Sequence, residues 1–116
     1  MAIFAPQTST FFNPQGNVYE VSFTASAANI RIPPSSTTMS TVKIDNNSGN
    51  ACFVQFSPLG NITFDHPTPG NVGHTGSYVP NGQSTFLTTG ITQPGNVYIY
   101  TISVAGTGNI FVQAGV

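Results

Sequence analysis

The chain has 116 residues, of which 4% are charged, with two basic and three acidic side chains and a formal net charge of -1. An average soluble domain of this length carries ~25% charged residues, roughly 29 in all, so Thr, Ser, Asn and Gln must cover this surface. Two cations cannot neutralise a phosphate backbone, which excludes nucleic-acid binding, and no apolar stretch approaches the ~20 residues of a membrane-spanning helix. The Phe-rich, charge-poor composition is the opposite of a long disordered segment. A net charge this small gives little repulsion between copies and favours self-association.

Residues Met1 to Asn17 hold Phe4, Phe11 and Phe12 among polar and turn residues without alternation, and read as an N-terminal contact arm (1–17). The first residues have neither the basic start nor the apolar run of a signal peptide, so the expected origin is a cytoplasm. Residues 18–116 show no composition break and read as one domain. Helix formers are scarce, whereas Gly, Pro and β-branched residues recur throughout, which predicts an all-β chain.

Period-two alternation marks the strands. Tyr19, Val21 and Phe23 share one face of the first. Ala28, Ile30 and Ile32 alternate with Asn29 and Arg31 until Pro33-Pro34 stops the run. Val42 and Ile44 oppose Thr41, Lys43 and Asp45, and after the turn Asn47-Ser48-Gly49-Asn50, Cys52, Val54 and Phe56 oppose Phe53 and Gln55. Residues Pro58 to Pro80 read as one long Gly- and Pro-rich loop, of a length that is usually functional or flexible. A short run follows near Thr85 to Leu87. Tyr98, Tyr100, Ile102 and Val104 line one face of the longest run, and Ala105–Asn109 reads as a hairpin into the last strand, with Ile110, Val112 and Ala114. Seven to eight strands at this spacing predict an antiparallel β-sandwich or jelly roll. The predicted core is Val21, Phe23, Ile30, Val42, Ile44, Val54, Phe56, Ile99, Val104 and Val112.

Chemistry-bearing residues are few. His66 and His74 lie eight apart with Asp65 adjacent, a spacing that matches no zinc pattern, and Cys52 reads as a small core residue, so no metal and no cofactor is expected. A lone cysteine also excludes an internal disulfide. Glu20 and Asp45 fall on the polar sides of their strands and read as solvated, with no catalytic residue among them. Gly106-Thr107-Gly108 lacks the third glycine and the helix of a dinucleotide-binding loop. Tyr78, Tyr98 and Tyr100 offer rings for stacking on sugars, although Tyr98 and Tyr100 share a face with apolar residues and Trp is absent.

The segment from Val42 through Asn46-Asn47-Ser48-Gly49-Asn50 to Phe53-Val54-Gln55-Phe56 resembles the small all-β virion structural proteins of tailed bacteriophages. So do the Val79-Pro80-Asn81-Gly82 step into Ser84-Thr85-Phe86 and the ending Gly108-Asn109-Ile110-Phe111-Val112. The resemblance covers about Thr41 to Val116 and its motifs are structural. It implies a head decoration or cement protein of the virion, with the major capsid protein or another virion protein as partner. A tail or head-tail connector subunit and a carbohydrate-binding sandwich are the alternatives. Partner contacts are expected at Phe4, Phe11 and Phe12 in the arm and at Phe64 and Tyr78 in the long loop, because large apolar groups left in water mark interaction surfaces.

Overall fold

Along Thr41–Asn46 every second residue turns inward: Val42, Ile44 and Asn46 are buried and Thr41, Lys43 and Asp45 are half-buried. This period of two generates eight strands in the computed structural model, which describes residues 14–32, 41–70, 76–89 and 97–115. They are β1 (Pro14–Phe23), β2 (Ala28–Ile32), β3 (Thr41–Asn46), β4 (Cys52–Ser57), β5 (Ser77–Val79), β6 (Gln83–Thr88), β7 (Val97–Ile102) and β8 (Gly108–Gly115). All pairings are antiparallel, in two four-stranded sheets ordered β1-β8-β3-β6 and β2-β7-β4-β5.

The pairing is nested. First strand meets last, β2 meets β7, β3 meets β6 and β4 meets β5, as if one long hairpin had been rolled up. The β3·β8 and β4·β7 ladders then close each sheet. Eight antiparallel strands divided in this way make a jelly roll. Val21, Phe23, Ile32, Val42, Ile44, Cys52, Val54, Val79, Val97, Ile99, Ile110 and Val112 fill the space between the sheets. Full burial of each Val, Ile or Phe contributes about 1.5–3 kcal/mol.

One end of the roll is tied by asparagines. Asn46 is fully buried; its Nδ2 donates to Asn50 O at 2.8 Å, and its Oδ1 accepts from Ser48 N at 3.0 Å and Ser48 Oγ at 2.7 Å. Asn81 Oδ1 accepts from Gly49 N at 2.8 Å, and Asn50 Nδ2 donates to Thr107 O at 2.9 Å. Three connections are thereby fastened together: 47–51, 80–82 and 103–107.

Several expectations need correcting. The stretch Ala105–Asn109 is not a hairpin, because β7 and β8 belong to different sheets. Ser103 N donates to Thr24 O at 2.9 Å and Ser103 Oγ donates to Gly106 O at 2.7 Å, which turns the chain across the end of the roll. Val104 therefore lies in that arch beyond β7 and is 64% exposed rather than core. Ile30 is 49% exposed: it pairs with Ile99 on the inner side of edge strand β2, where the gap between β1 and β2 opens to solvent beside Tyr19. Phe56 is half-buried at the opposite opening, between β5 and β6. The 58–80 stretch is not wholly loop, since Ser77–Val79 pairs with β4. At the start, β1 begins at Pro14, ahead of the Val18 that opens the alternation.

Candidate functional site

The outer face of the β2-β7-β4-β5 sheet carries Tyr98, Tyr100 and Ile102 from β7, Phe53 and Gln55 from β4 and Tyr78 from β5. Aromatics on the solvent side of a sheet need a second cover, and the chain after β4 supplies it. Tyr100 Oη donates to Leu59 O at 2.6 Å and accepts from Ile62 N at 3.2 Å. Phe64 packs edge-on against Tyr100 with ring centroids 6.1 Å apart, and together with Ile102 these form a second buried cluster. Two glycines permit the close approach: a Cβ on Gly76 would lie 2.8 Å from the Phe64 ring, and one on Gly60 would lie 2.8 Å from the Tyr98 ring.

At the rim of this cover three rings come together in partial exposure. Phe53 lies 5.5 Å from Tyr78, tilted by 57°, and 6.5 Å from the His66 ring, nearly parallel at 25°. Tyr78 is 56% exposed. The backbone N–H of His66 donates to Asp65 Oδ1 at 2.8 Å. His66 Nδ1 sits 3.1 Å from Pro67 O; a carbonyl only accepts, so in the neutral ring Nδ1 carries the proton and Nε2 is the acceptor. The arrangement can stack on a flat apolar face and offer polar groups beside it.

The expected contact residues part company here. Tyr78 is exposed at the rim. Phe64 is only 4% exposed, since the chain folds back and spends its ring on Tyr100, so it has almost no surface to offer a partner. Phe4, Phe11 and Phe12 lie outside the described residues, as does His74. Of the sugar-stacking tyrosines, Tyr100 is 2% exposed and Tyr98 half-buried. Phe53 and His66 were not anticipated as members of a cluster. The signal was present in Phe53, an aromatic on the polar phase of its strand.

The titratable groups are dispersed. Among the described residues no three of His, Cys, Asp and Glu gather into a metal-sized group. Glu20 and Asp45 share the outer face of the other sheet, each paired across from Phe111. Glu20 Oε2 accepts from Asn109 Nδ2 at 2.8 Å. Asp45 is 3.4 Å from Lys43 Nζ and accepts from Ser84 Oγ; a pair this exposed is worth about 0–1 kcal/mol. Burial pushes the Cys52 thiol up to about 12.

Comparison of the chain with protein families, curated proteins and solved structures finds no match. The class that the described residues define is that of an eight-stranded jelly roll with an aromatic rim on one sheet.

Proposed function

We propose that the chain is a non-enzymatic virion structural protein, a decoration or cement subunit that binds and stiffens a phage head shell. The observation that carries this reading is the nested strand order, β1-β8-β3-β6 against β2-β7-β4-β5, an architecture used by viral capsid and lectin domains. Fold alone does not assign function, but the surface agrees with it. A chain with five charged residues and exposed Val18, Tyr78, Phe86 and Phe111 is suited to sitting in a dense array of copies, where charge repulsion is unwanted.

The test is fractionation of particles from cells expressing the tagged chain together with the head and tail genes of a tailed phage. Migration with head shells in stoichiometric amount supports the reading; migration with tails moves it to a connector subunit. Deleting residues 1–13, which leaves β1 whole, removes Phe4, Phe11 and Phe12. A deleted protein that folds but no longer binds shells identifies the arm as an anchor.

A second reading rests on the Phe53–His66–Tyr78 rim, namely that this jelly roll binds neutral sugars by ring stacking. Glycan-array binding that Tyr78→Ala abolishes would favour it over the shell.

A further inference from the structure

We propose that β6 is the strand through which two copies of this chain pair, antiparallel about a two-fold axis, so that their β1-β8-β3-β6 sheets become one eight-stranded sheet. A sheet edge presents unpaired backbone donors and acceptors, and folded chains protect such edges with charge, proline, bulges or brevity. Among the described residues four strands are edges: β1, β6, β2 and β5. Strand β1 carries Glu20, and its register shifts between Pro14 and Val18. Strand β2 carries Arg31 and runs into Pro33-Pro34. Strand β5 has three residues and is followed by Pro80. Strand β6 has none of these protections. It is six residues of Gln, Ser, Thr, Phe, Leu and Thr, in unbroken register with β3, and among the described residues no strand lies on its other side.

An independent observation lies beneath the same edge. The gap between β5 and β6 is a cavity of about 200 Å³ lined in part by Phe56, Leu87 and Gly76. Phe56 and Leu87 pack on the core yet remain half-buried. A strand added beside β6 covers Leu87 and narrows this opening.

The outer face makes a second copy the fitting occupant and biases its register. Opposite residues in an antiparallel pair point to the same face, so the two-fold can pass at Ser84, Thr85 or Phe86. Lys43 is paired with Phe86 and Asp45 with Ser84. A Thr85-centred pairing aligns the Lys43–Phe86 row of one copy with the Ser84–Asp45 row of the other, one Lys and one Asp in each row. Centring on Phe86 or Ser84 sets like charges in one row instead. These charges are separated by about three strand spacings, ~14 Å, beyond the screening length of ordinary salt, so they bias the register only weakly and add little affinity. In the Thr85-centred register the two Phe86 rings are diagonal neighbours, at ~7–8 Å, within aromatic reach.

The inference stands whether or not the chain decorates a shell, and it is tested on the purified full chain. Sedimentation velocity over a concentration series is expected to show a reversible dimer. Opposite Cα atoms lie ~4.5–5.5 Å apart in such pairs, within disulfide range, so Thr85→Cys should cross-link under mild oxidant and Thr88→Cys should not; native Cys52 is buried and takes no part. Phe86→Glu places a carboxylate beside Lys43 in its own sheet and two carboxylates near each other in the dimer, so it should fold and dimerise about tenfold more weakly. A chain that stays monomeric throughout the series overturns the proposal. So does a dimer that neither Thr85→Cys nor Ser84→Cys nor Phe86→Cys cross-links, since its interface is then elsewhere.

Discussion

Asn46→Asp is the most informative single change at the tied end of the roll. It keeps the shape of a fully buried side chain and replaces the Nδ2 donor with an acceptor. The new oxygen would face Asn50 O, at 2.8 Å from Nδ2 now, and Val79 O at 3.5 Å. Burial and two carbonyls both disfavour the charged form, so the folded pKa rises above the unfolded value of ~3.9. The Ser48 N–H and Oγ–H that donate to Oδ1 support the charge and hold the rise below the 3–5 units of a lone buried carboxyl; a rise of about two units is reasonable. Below ~3.9 both states are protonated and the ionisation penalty vanishes. Between that point and the folded pKa the unfolded chain releases its proton first, and the loss grows by about 1.4 kcal/mol per pH unit, reaching about 2.7 kcal/mol and then levelling. At about 4–6 °C per kcal/mol for a domain of this size, Tm falls by about 10–16 °C near neutrality. Asn46→Ala should lose about 2–4 kcal/mol with no such slope, because it removes all four side-chain hydrogen bonds of Asn46 and adds no titrating group. Thermal melts of wild type and both variants from about pH 4 to about pH 8 decide it. An Asp variant whose deficit is the same at both ends would refute the assignment of Asn46 as a donor to buried carbonyls.

Three further outcomes follow from the second cluster and the core. Tyr100→Phe removes the hydroxyl that holds Leu59 and Ile62; it should cost about 1–3 kcal/mol and accelerate amide exchange in residues 58–64, while leaving β3 and β8 protected. Phe64→Ala should cost about 3 kcal/mol by calorimetry, whereas an exposed partner contact would show no loss in the isolated protein. Cys52, with its thiol pushed up to about 12, holds only about one part in ten thousand as thiolate near pH 8; a thiol reagent should label it only on unfolding.

The strands were legible because alternation is a local property, and Val42, Ile44, Val54 and Val112 could be placed from their neighbours alone. Which sheet each strand joins was not legible. A Gly- and Asn-rich turn such as Asn47–Asn50 serves equally for a hairpin and for an arch between sheets; the difference lies in Asn46 reaching Asn50 and Val79, contacts up to 33 residues apart in sequence. Ile30 and Phe56 show the same limit: both have core-phase alternation, yet both stand at lateral openings that exist only once the strands are ordered. Phe64 was misplaced because a loop aromatic looks exposed until the outward face of β7 is known to need a cover. Of the rim, only Tyr78 was readable, since its neighbours Phe53 and His66 are brought to it by β4·β5 pairing and by the fold-back of the chain.

The scarcity of charge and the openings of the roll bear on one another. Among the described residues the two four-stranded sheets leave four edges, and a chain with five charged residues cannot protect all of them by charge. The charges present are spent unevenly: Glu20 on β1 and Arg31 on β2 stand at one lateral opening, and Lys43 and Asp45 pair on the inner strand β3. The other opening, where β6 lies above half-buried Leu87 and Phe56, receives none. Among the described residues that distribution leaves β6 as an edge without charge, a liability in a free monomer. In an assembled protein it separates a closed side from a joining side, and the neutrality that weakens solubility becomes the condition for copies to pack. Adding charge at β6 alone should therefore favour the monomer, whereas an equal charge at β2, beside Arg31, should leave association unchanged. Comparing Phe86→Glu with Asn29→Glu in the same sedimentation series separates the two sides. Equal weakening by both would show that association follows net charge and not the β6 edge.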